Sequence, residues 1–307
     1  MKVLKFALLA IMFAGVASAQ TVNLKIASDS SSGTYAKMLG EVVNACGSDE
    51  FNIQSAGNKG GAVGNLDALF NNQADAAFLH SDVFVASSQS DPAYNRLKTL
   101  VALWPEPIHV LTLRVSKTKK QGAFSFGTVE INSLVDTAGY NVGAAGGGVL
   151  TGKVLQYAGK FTTVDEGTGD NVINALNNGE IAAAIFVGAQ PLPNIQKLGG
   201  TNQYKLVPVG ESIANQVSNV YRPAKINYPG LTNGPIATLA PVAVLLTKSF
   251  QTPAKVNAQR ALRACFTNHL AELQDTGSRN WSEVQAGDVG TLNNYLELPV
   301  TGTTRKK

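Results

Sequence analysis

Charged side chains are scarce in this sequence. Only 15% of its 307 residues are Asp, Glu, Lys or Arg, against about 25% in an ordinary globular chain. The formal net charge of +4 is too small for electrostatic capture of nucleic acid. Two cysteines exclude a scaffold built on disulfides. With three histidines, His80, His109 and His269, a metal site with several ligands is not expected either. The sequence also lacks a G-x-S-x-G elbow and an H-E-x-x-H helix. Asp165 and Glu166 are adjacent carboxylates, but neighbours on a chain do not face one another. No catalytic residue and no cofactor is therefore expected, and the chain reads as a binding protein, not an enzyme. A hydrophobic content of 44% excludes wholesale disorder. What is abundant is glycine, 30 residues, together with Asn, Ser, Thr and Gln.

Long apolar runs are missing except at the start. Lys2 and Lys5 precede an apolar segment, Phe6 to Val16, and Ala17-Ser18-Ala19 follows it. A basic start, a short apolar run and an A-x-A site are the parts of a secretory signal peptide. Residues 1–19 are read as that signal, cleaved to leave an exported, periplasmic protein. The run is short for a span, which takes about 20 residues. Export bears on Cys46 and Cys265, each of which lies in or ends a helix-like segment. In an oxidising compartment the pair is able to form a disulfide. An even count permits the bond without demanding it, and two buried thiols are the alternative.

From Gln20 onward strand-like and helix-like segments alternate. Asn23 to Ala27 has the period of a strand, while Tyr35, Met38, Leu39, Val42 and Cys46 recur at helical spacing on one face. Further strand–loop–helix units begin at Phe51, Ala76, Asn141 and Phe161. Their loops are rich in Gly, Ser and Thr. Such a pattern predicts an α/β fold with a mainly parallel sheet, its ligand outside the carboxyl ends of the strands. Glycine and hydroxyl loops at helix N-termini suit an anion, although Ser and Thr there also serve as plain caps. Two long strands, Ile108 to Val115 and Ala237 to Thr247, bracket a middle segment. They divide the chain into one lobe of residues 20–107 with 241–307 and another of 108–240. The basic segment Ser116 to Gly122 is expected to be a surface loop, and its S-x-x-K has no partner motifs. Gly147 to Lys153 spells G-x-x-x-x-G-K, but Val154 stands where a Ser or Thr must hold magnesium, so it is not a nucleotide loop.

Several short motifs now align with a known family. Ser28 to Tyr35 is similar to the S-x-x-G-T-Y opening of the TAXI-type solute receptors of TRAP transporters. Gly61-Ala62-Val63-Gly64-Asn65-Leu66 resembles that family's G-S-x-x-N-L, and Ala74 to Asp82 its A-D-x-x-F-x-x-S-D. Leu103-Trp104-Pro105-Glu106 with His109 resembles L-Y-P-E followed by histidine. Tyr228-Pro229-Gly230 with Thr238 resembles the segment before the return strand. The motifs run in the family's order over nearly the whole chain after residue 19.

The resemblance implies a two-lobed type II periplasmic binding fold with two hinge-crossing strands and a ligand in the cleft between lobes. It implies a receptor that passes a small organic anion, a carboxylate or an amino acid such as glutamate, to the membrane permease subunits of a TRAP transporter. A monomer is expected. The residues expected at the ligand are Ser31, Ser32, Gly33, Thr34, Tyr35, Asn65, Ser81 and Asp82 from the first lobe, with Gly147 and Gly148 closing from the second. Arg114 and Arg222 are alternative carboxylate clamps or surface residues. The chain departs from the family in its second glycine loop, Gly143 to Val149, which has lost both hydroxyls. An acid is also gone from Ile181 to Phe186. A sensory or partner-binding protein that uses the same scaffold with an altered or lost transport ligand is the alternative reading.

Overall fold

A computed structural model describes residues 21–28, 33–47 and 51–285; residues 1–19, read above as a signal peptide, lie outside these. The first sheet contains β1 (Val22–Ser28), β2 (Phe51–Asn58), β3 (Ala76–His80) and β4 (Leu97–Pro105). The second is led by β5 (Ile108–Leu113), and a small hairpin, β6 (Ser116–Thr118) with β7 (Gly127–Val129), follows it. Next come β8 (Asn141–Ala144), β9 (Thr162–Asp165), β10 (Ala183–Val187) and β11 (Tyr204–Val207). An antiparallel pair, β12 (Arg222–Ile226) and β13 (Ile236–Ala240), leads to β14 (Val242–Lys248). The first sheet has the order β2-β1-β3-β14-β4, the second β11-β5-β10-β8-β9.

Each sheet is parallel at its helical units and antiparallel where a crossing strand joins it. In the first sheet β1 is parallel to β2 and β3, whereas β14 is antiparallel to β3 and β4. In the second, β8 is parallel to β9 and β10, and β5 is antiparallel to β10 and β11. A strand entering from the other sheet arrives without the crossover helix that parallel pairing needs. The expected mainly parallel sheet is therefore two mixed sheets.

Both faces of both sheets are covered, as strand composition demands. Phe78 and Leu245 enter one core of the first sheet while Leu79 and Val244 enter the other. Val110 and Ile185 likewise oppose Leu111 and Ala184 in the second. Helices α1 (Thr34–Cys46), α2 (Gly61–Phe70) and α3 (Ser81–Ser90) accompany the first sheet, and α4 (Gly147–Gly159) and α5 (Gly169–Asn178) the second. The stripe expected on α1 is the buried one: Tyr35, Met38, Leu39, Val42 and Cys46. Two short helices, α6 (Pro193–Gln196) and α7 (Glu211–Gln216), precede α8 (Pro253–Asn268), which packs beside α1. Cys46 and Cys265 form a disulfide there, with Cα atoms 5.6 Å apart.

Two expectations change at prolines and at a hairpin. The strand read from Ala237 to Thr247 breaks at Pro241, which has no N–H to donate to a ladder, and becomes β13 and β14. The break places the return crossing against the outgoing one: Glu106 N–H donates to the Pro241 carbonyl at 2.9 Å. Thr238 Oγ1 adds a bond to the Ile108 carbonyl at 2.6 Å. Two proline-flanked crossings tied side by side form the hinge region. The expected surface loop at Ser116 begins instead as β6, with Ser116 and Thr118 buried and Lys117 outward.

Candidate functional site

Three helices point their N-termini into one cleft, and all three have glycine at the N-cap: Gly33 for α1, Gly60 for α2 and Gly146 for α4. Glycine has no side chain with which to cap the first-turn N–H groups. No acidic residue occupies any of these first turns. Helix α5, by contrast, is capped by its own Thr168, whose Oγ1 accepts from Asn171 N–H at 3.2 Å. Gly60 and Gly146 have φ of 90° and 55°, values that a side chain disfavours. The cleft holds about 280 Å³ and is lined by Thr34, Tyr35, Gly61, Ala62, His80 and Glu106 on one side. Ala145 to Gly148, Phe186 to Gly188, Leu192 and Asn194 line the other.

His80 is the cationic centre of this cleft. It ends β3, and its Nδ1 bonds the carboxylate of Asp82. Both side chains are buried. Burial alone would lower the His80 pKa, but the Asp82 charge and hydrogen bond, with Glu106 behind them, reverse this and raise it above the usual 6.5. Burial likewise pushes Asp82 up, yet His80, Thr151 and Tyr221 together bring it below the usual 3.8. The pair is held as imidazolium and carboxylate. The other ring nitrogen faces α4 so closely that a Cβ on Gly147 would stand 2.2 Å from Nε2. An imidazolium therefore sits against the positive end of a helix dipole, and an anion bound beside them in the cleft is attracted by both. Gly148 and Val149 N–H groups fold back onto the Ala145 and Gly146 carbonyls. Gly147 N–H makes no such bond.

Glu106 supplies the opposite sign a short way along the cleft. It lies between the hinge prolines and is 3% exposed. Its carboxylate accepts from Tyr35 O–H at 2.6 Å. Burial raises its pKa, only partly offset by His80 and by hydrogen bonding. Phe186, Leu192, Ala62 and Ala145 give the remaining wall an apolar surface, interrupted by Asn194.

The expected ligand residues separate into two groups. Thr34, Tyr35, Gly147 and Gly148 line the cleft, with Gly33 at the α1 cap; Ser31 and Ser32 lie outside the described residues. Asn65, Ser81 and Asp82 do not line it. Asn65 Nδ2 donates to the Phe78 carbonyl at 2.9 Å, and Ser81 Oγ accepts from Val242 N–H at 3.0 Å. Both bind backbone at strand ends. Asp82 spends its second oxygen across the molecule, accepting from Thr151 Oγ1 of α4 at 2.6 Å and from Tyr221 O–H at 2.8 Å. Neither arginine reaches the cleft: Arg114 donates to the Gly230 carbonyl at 3.0 Å, and Arg222 lies in β12.

Sequence reasoning missed His80 and Glu106 as cleft residues. It also gave His109 and Tyr228 no physical role. The Tyr228 phenol oxygen accepts from Leu192 N–H at 2.8 Å and bonds His109 Nε2 at 2.8 Å. Burial lowers the His109 pKa to about 4 and raises that of Tyr228 to about 12. At neutral pH the imidazole is thus the acceptor and the phenol the donor. The pair braces the segment that places Leu192 in the cleft wall. Among the described residues no cluster of three or more His, Cys, Asp or Glu side chains is placed to hold a metal ion. Among them, too, no helix is long and apolar enough to cross a membrane.

The fold has counterparts among solved structures. An arginine transport-system periplasmic binding protein from Legionella pneumophila superposes with a TM-score of 0.50 at 13% identity, over 86% of this chain and 100% of its own. An arginine-specific periplasmic binding protein from Salmonella typhimurium gives 0.50 at 13% identity, over 84% and 99%. At such identity the likeness is one of fold: the two sheets correspond to the two lobes of the periplasmic binding protein fold. The profile of the NMT1-like family matches residues 26–258, and the chain belongs to that family.

Proposed function

We propose that this protein is an extracytoplasmic solute receptor that closes its two lobes, residues 20–107 with 241–307 and residues 108–240, on a small α-amino acid. The observation that carries the reading is the contact of His80 with Gly147 at the uncapped start of α4. A carboxylate at that point meets an imidazolium and the positive end of a helix dipole. Glu106 then faces the ammonium, and Phe186 and Leu192 face the side chain. The similar solved structures, both arginine-handling binding proteins by description, share the fold on which such a site is built. The sequence resemblance adds the destination, a TRAP-type membrane permease. The loss of hydroxyls from the Gly143 to Val149 loop fits a cleft in which backbone and His80, not Ser or Thr, meet the anion.

A thermal-shift panel of amino acids, and of matched carboxylates without an amine, tests this. A true ligand at a hundred times its Kd stabilises the protein by about 2.7 kcal/mol. Glu106→Gln keeps an acceptor for Tyr35 and removes the charge. It is expected to weaken amino-acid binding about tenfold or more while leaving amine-free carboxylates unaffected. Binding an ammonium favours ionised Glu106, so affinity rises with pH until the raised pKa of the free protein is passed. A panel without any response, or a Glu106→Gln protein that binds amino acids normally, overturns the reading. Gly147→Val is expected to abolish the response, because the added carbons occupy the position of the His80 ring.

A further inference from the structure

The described residues include four large hydrophobic side chains that stand well out into solvent, and three of them belong to one short stretch. Val115, Phe124 and Phe126 flank or occupy the β6–β7 hairpin; Phe124 is fully exposed and Phe126 59% exposed. The same stretch contains Lys117, Lys119 and Lys120, all exposed, in a chain otherwise poor in charge. Their acidic neighbours are Glu130, just past β7, and Glu180, on the rim of the same hollow. The basic residues outnumber these.

The loop is held, although its aromatic tips are not covered. Gln121 N–H donates to the Gly139 carbonyl at 2.9 Å, and Gln121 Nε2 bonds Asn141 at 3.2 Å and also Thr162. Thr118 Oγ1 donates to the Gly179 carbonyl at 3.0 Å. Lys120 rests over the Tyr140 ring, 5.9 Å from its centre. Between the hairpin and Gly179 lies a shallow hollow of about 510 Å³. Fixing a loop so that two phenylalanines face water costs solvation unless something covers them.

We propose that this hairpin docks the protein on an anionic phospholipid surface, the phenylalanines entering the headgroup layer and the lysines meeting lipid phosphates. Aromatic side chains flanked by lysines suit that layer, where apolar bodies are buried and ammonium groups reach the charged surface. Position supports the assignment. Asn141 begins β8 and Gly179 precedes β10, so the hairpin lies at the N-terminal edge of the second sheet. The ligand cleft lies past the opposite ends of the same strands, at Ala145 to Gly148 and Phe186 to Gly188. A docked protein keeps its cleft open to solvent. The inference does not depend on which solute the cleft takes.

Protein-free vesicles test it, with the exported protein purified from the extracytoplasmic fraction. Sedimentation with phosphatidylglycerol vesicles is expected to recover protein in a salt-sensitive manner, and pure phosphatidylcholine vesicles to recover little. Phe124→Ser with Phe126→Ser, and separately Lys117→Glu with Lys119→Glu, are each expected to lower the partition coefficient at least about tenfold. The melting temperature of each variant reports on folding independently of the vesicles. Absence of binding to phosphatidylglycerol, or equal binding by folded variants, overturns the proposal. Cross-linking of the hairpin to a membrane protein without any affinity for lipid alone would assign this face to a protein partner and also overturn it.

Discussion

Asp82→Ala is expected to lower the free energy of unfolding by about 3–5 kcal/mol, the cost of leaving a buried ionic partner uncompensated. The substitution orphans three groups at once: the His80 imidazolium, the Thr151 hydroxyl and the Tyr221 hydroxyl. Two of these belong to the half of the molecule built on the second sheet. Asp82 thus joins lobes as well as residues, and its loss should also favour an open form. Equilibrium urea unfolding reads the first effect as a lower midpoint at unchanged slope. Small-angle scattering reads the second as a larger radius of gyration without ligand. A variant within about 0.5 kcal/mol of the parent, the range of ordinary surface changes, would refute the account.

The same pair sets the pH dependence. Asp82 has its folded pKa below 3.8, so its contribution is present above that value and is lost as acid protonates it. His80 has its folded pKa above 6.5, so its contribution is complete below that value and fades as pH rises through the folded one. Glu106, raised above 4.5 by burial, works in the same direction as His80: its stabilising neutral form is lost on ionisation. Stability without ligand is therefore greatest near pH 4 to 4.5, declines above that as Glu106 ionises, and declines further above about pH 6.5 as His80 loses its proton. Asp82→Ala should flatten the alkaline part of that decline, because His80 then has no anion at Nδ1.

Part of this fold is legible from period alone, because β1 alternates over its first half and α1 repeats at helical spacing, whereas β3, β5 and β14 are buried on both faces and show no alternation. Leu24 and Ile26 alternate with polar neighbours, and the five-residue stripe of α1 is buried as spaced. The lining of the cleft is legible in part, at its glycine-led helix starts. A glycine before a helix announces an uncapped N-terminus, which is why Gly33, Thr34, Gly147 and Gly148 could be named in advance. Polar residues near strand ends were misleading. Asn65 and Ser81 serve backbone groups, a use that looks the same in sequence as ligand binding. His80 was overlooked although it begins His80-Ser81-Asp82, because only the fold shows that Gly147 lies against its ring. Glu106 had a signal, a carboxyl between two prolines in a chain short of charge. Thr151 and Tyr221, 69 and 139 residues from Asp82, gave none, since nothing local distinguishes a latch from a core residue.

Removal of the Cys46–Cys265 bond, by Cys46→Ala with Cys265→Ala, is expected to cost about 2–5 kcal/mol, toward the upper end. The position in the chain sets the size: the bond closes 219 residues of sequence, and cross-links across long loops restrict the unfolded chain most. For a protein of this length the loss corresponds to a fall in melting temperature on the order of 10 °C. Packing cannot supply an effect of that size. Both cysteines lie in the core beside Met38, Val42, Leu262 and Phe266, and trimming two small sulfur-bearing side chains leaves little cavity. A reductant on the unmutated protein should lower the melting temperature by a similar amount once unfolding exposes the bond, and should have no further effect on the double variant. The bond ties α1 to α8, neither sulfur lines the cleft, and the hinge crossings lie elsewhere. Ligand affinity measured well below the transition should therefore be unchanged. A double variant that melts with the parent would mean the unfolded chain is already compact enough to hold α1 and α8 together. Equal stability but weaker ligand binding would instead mean that α1, whose first turn opens on the cleft, is positioned through the bond.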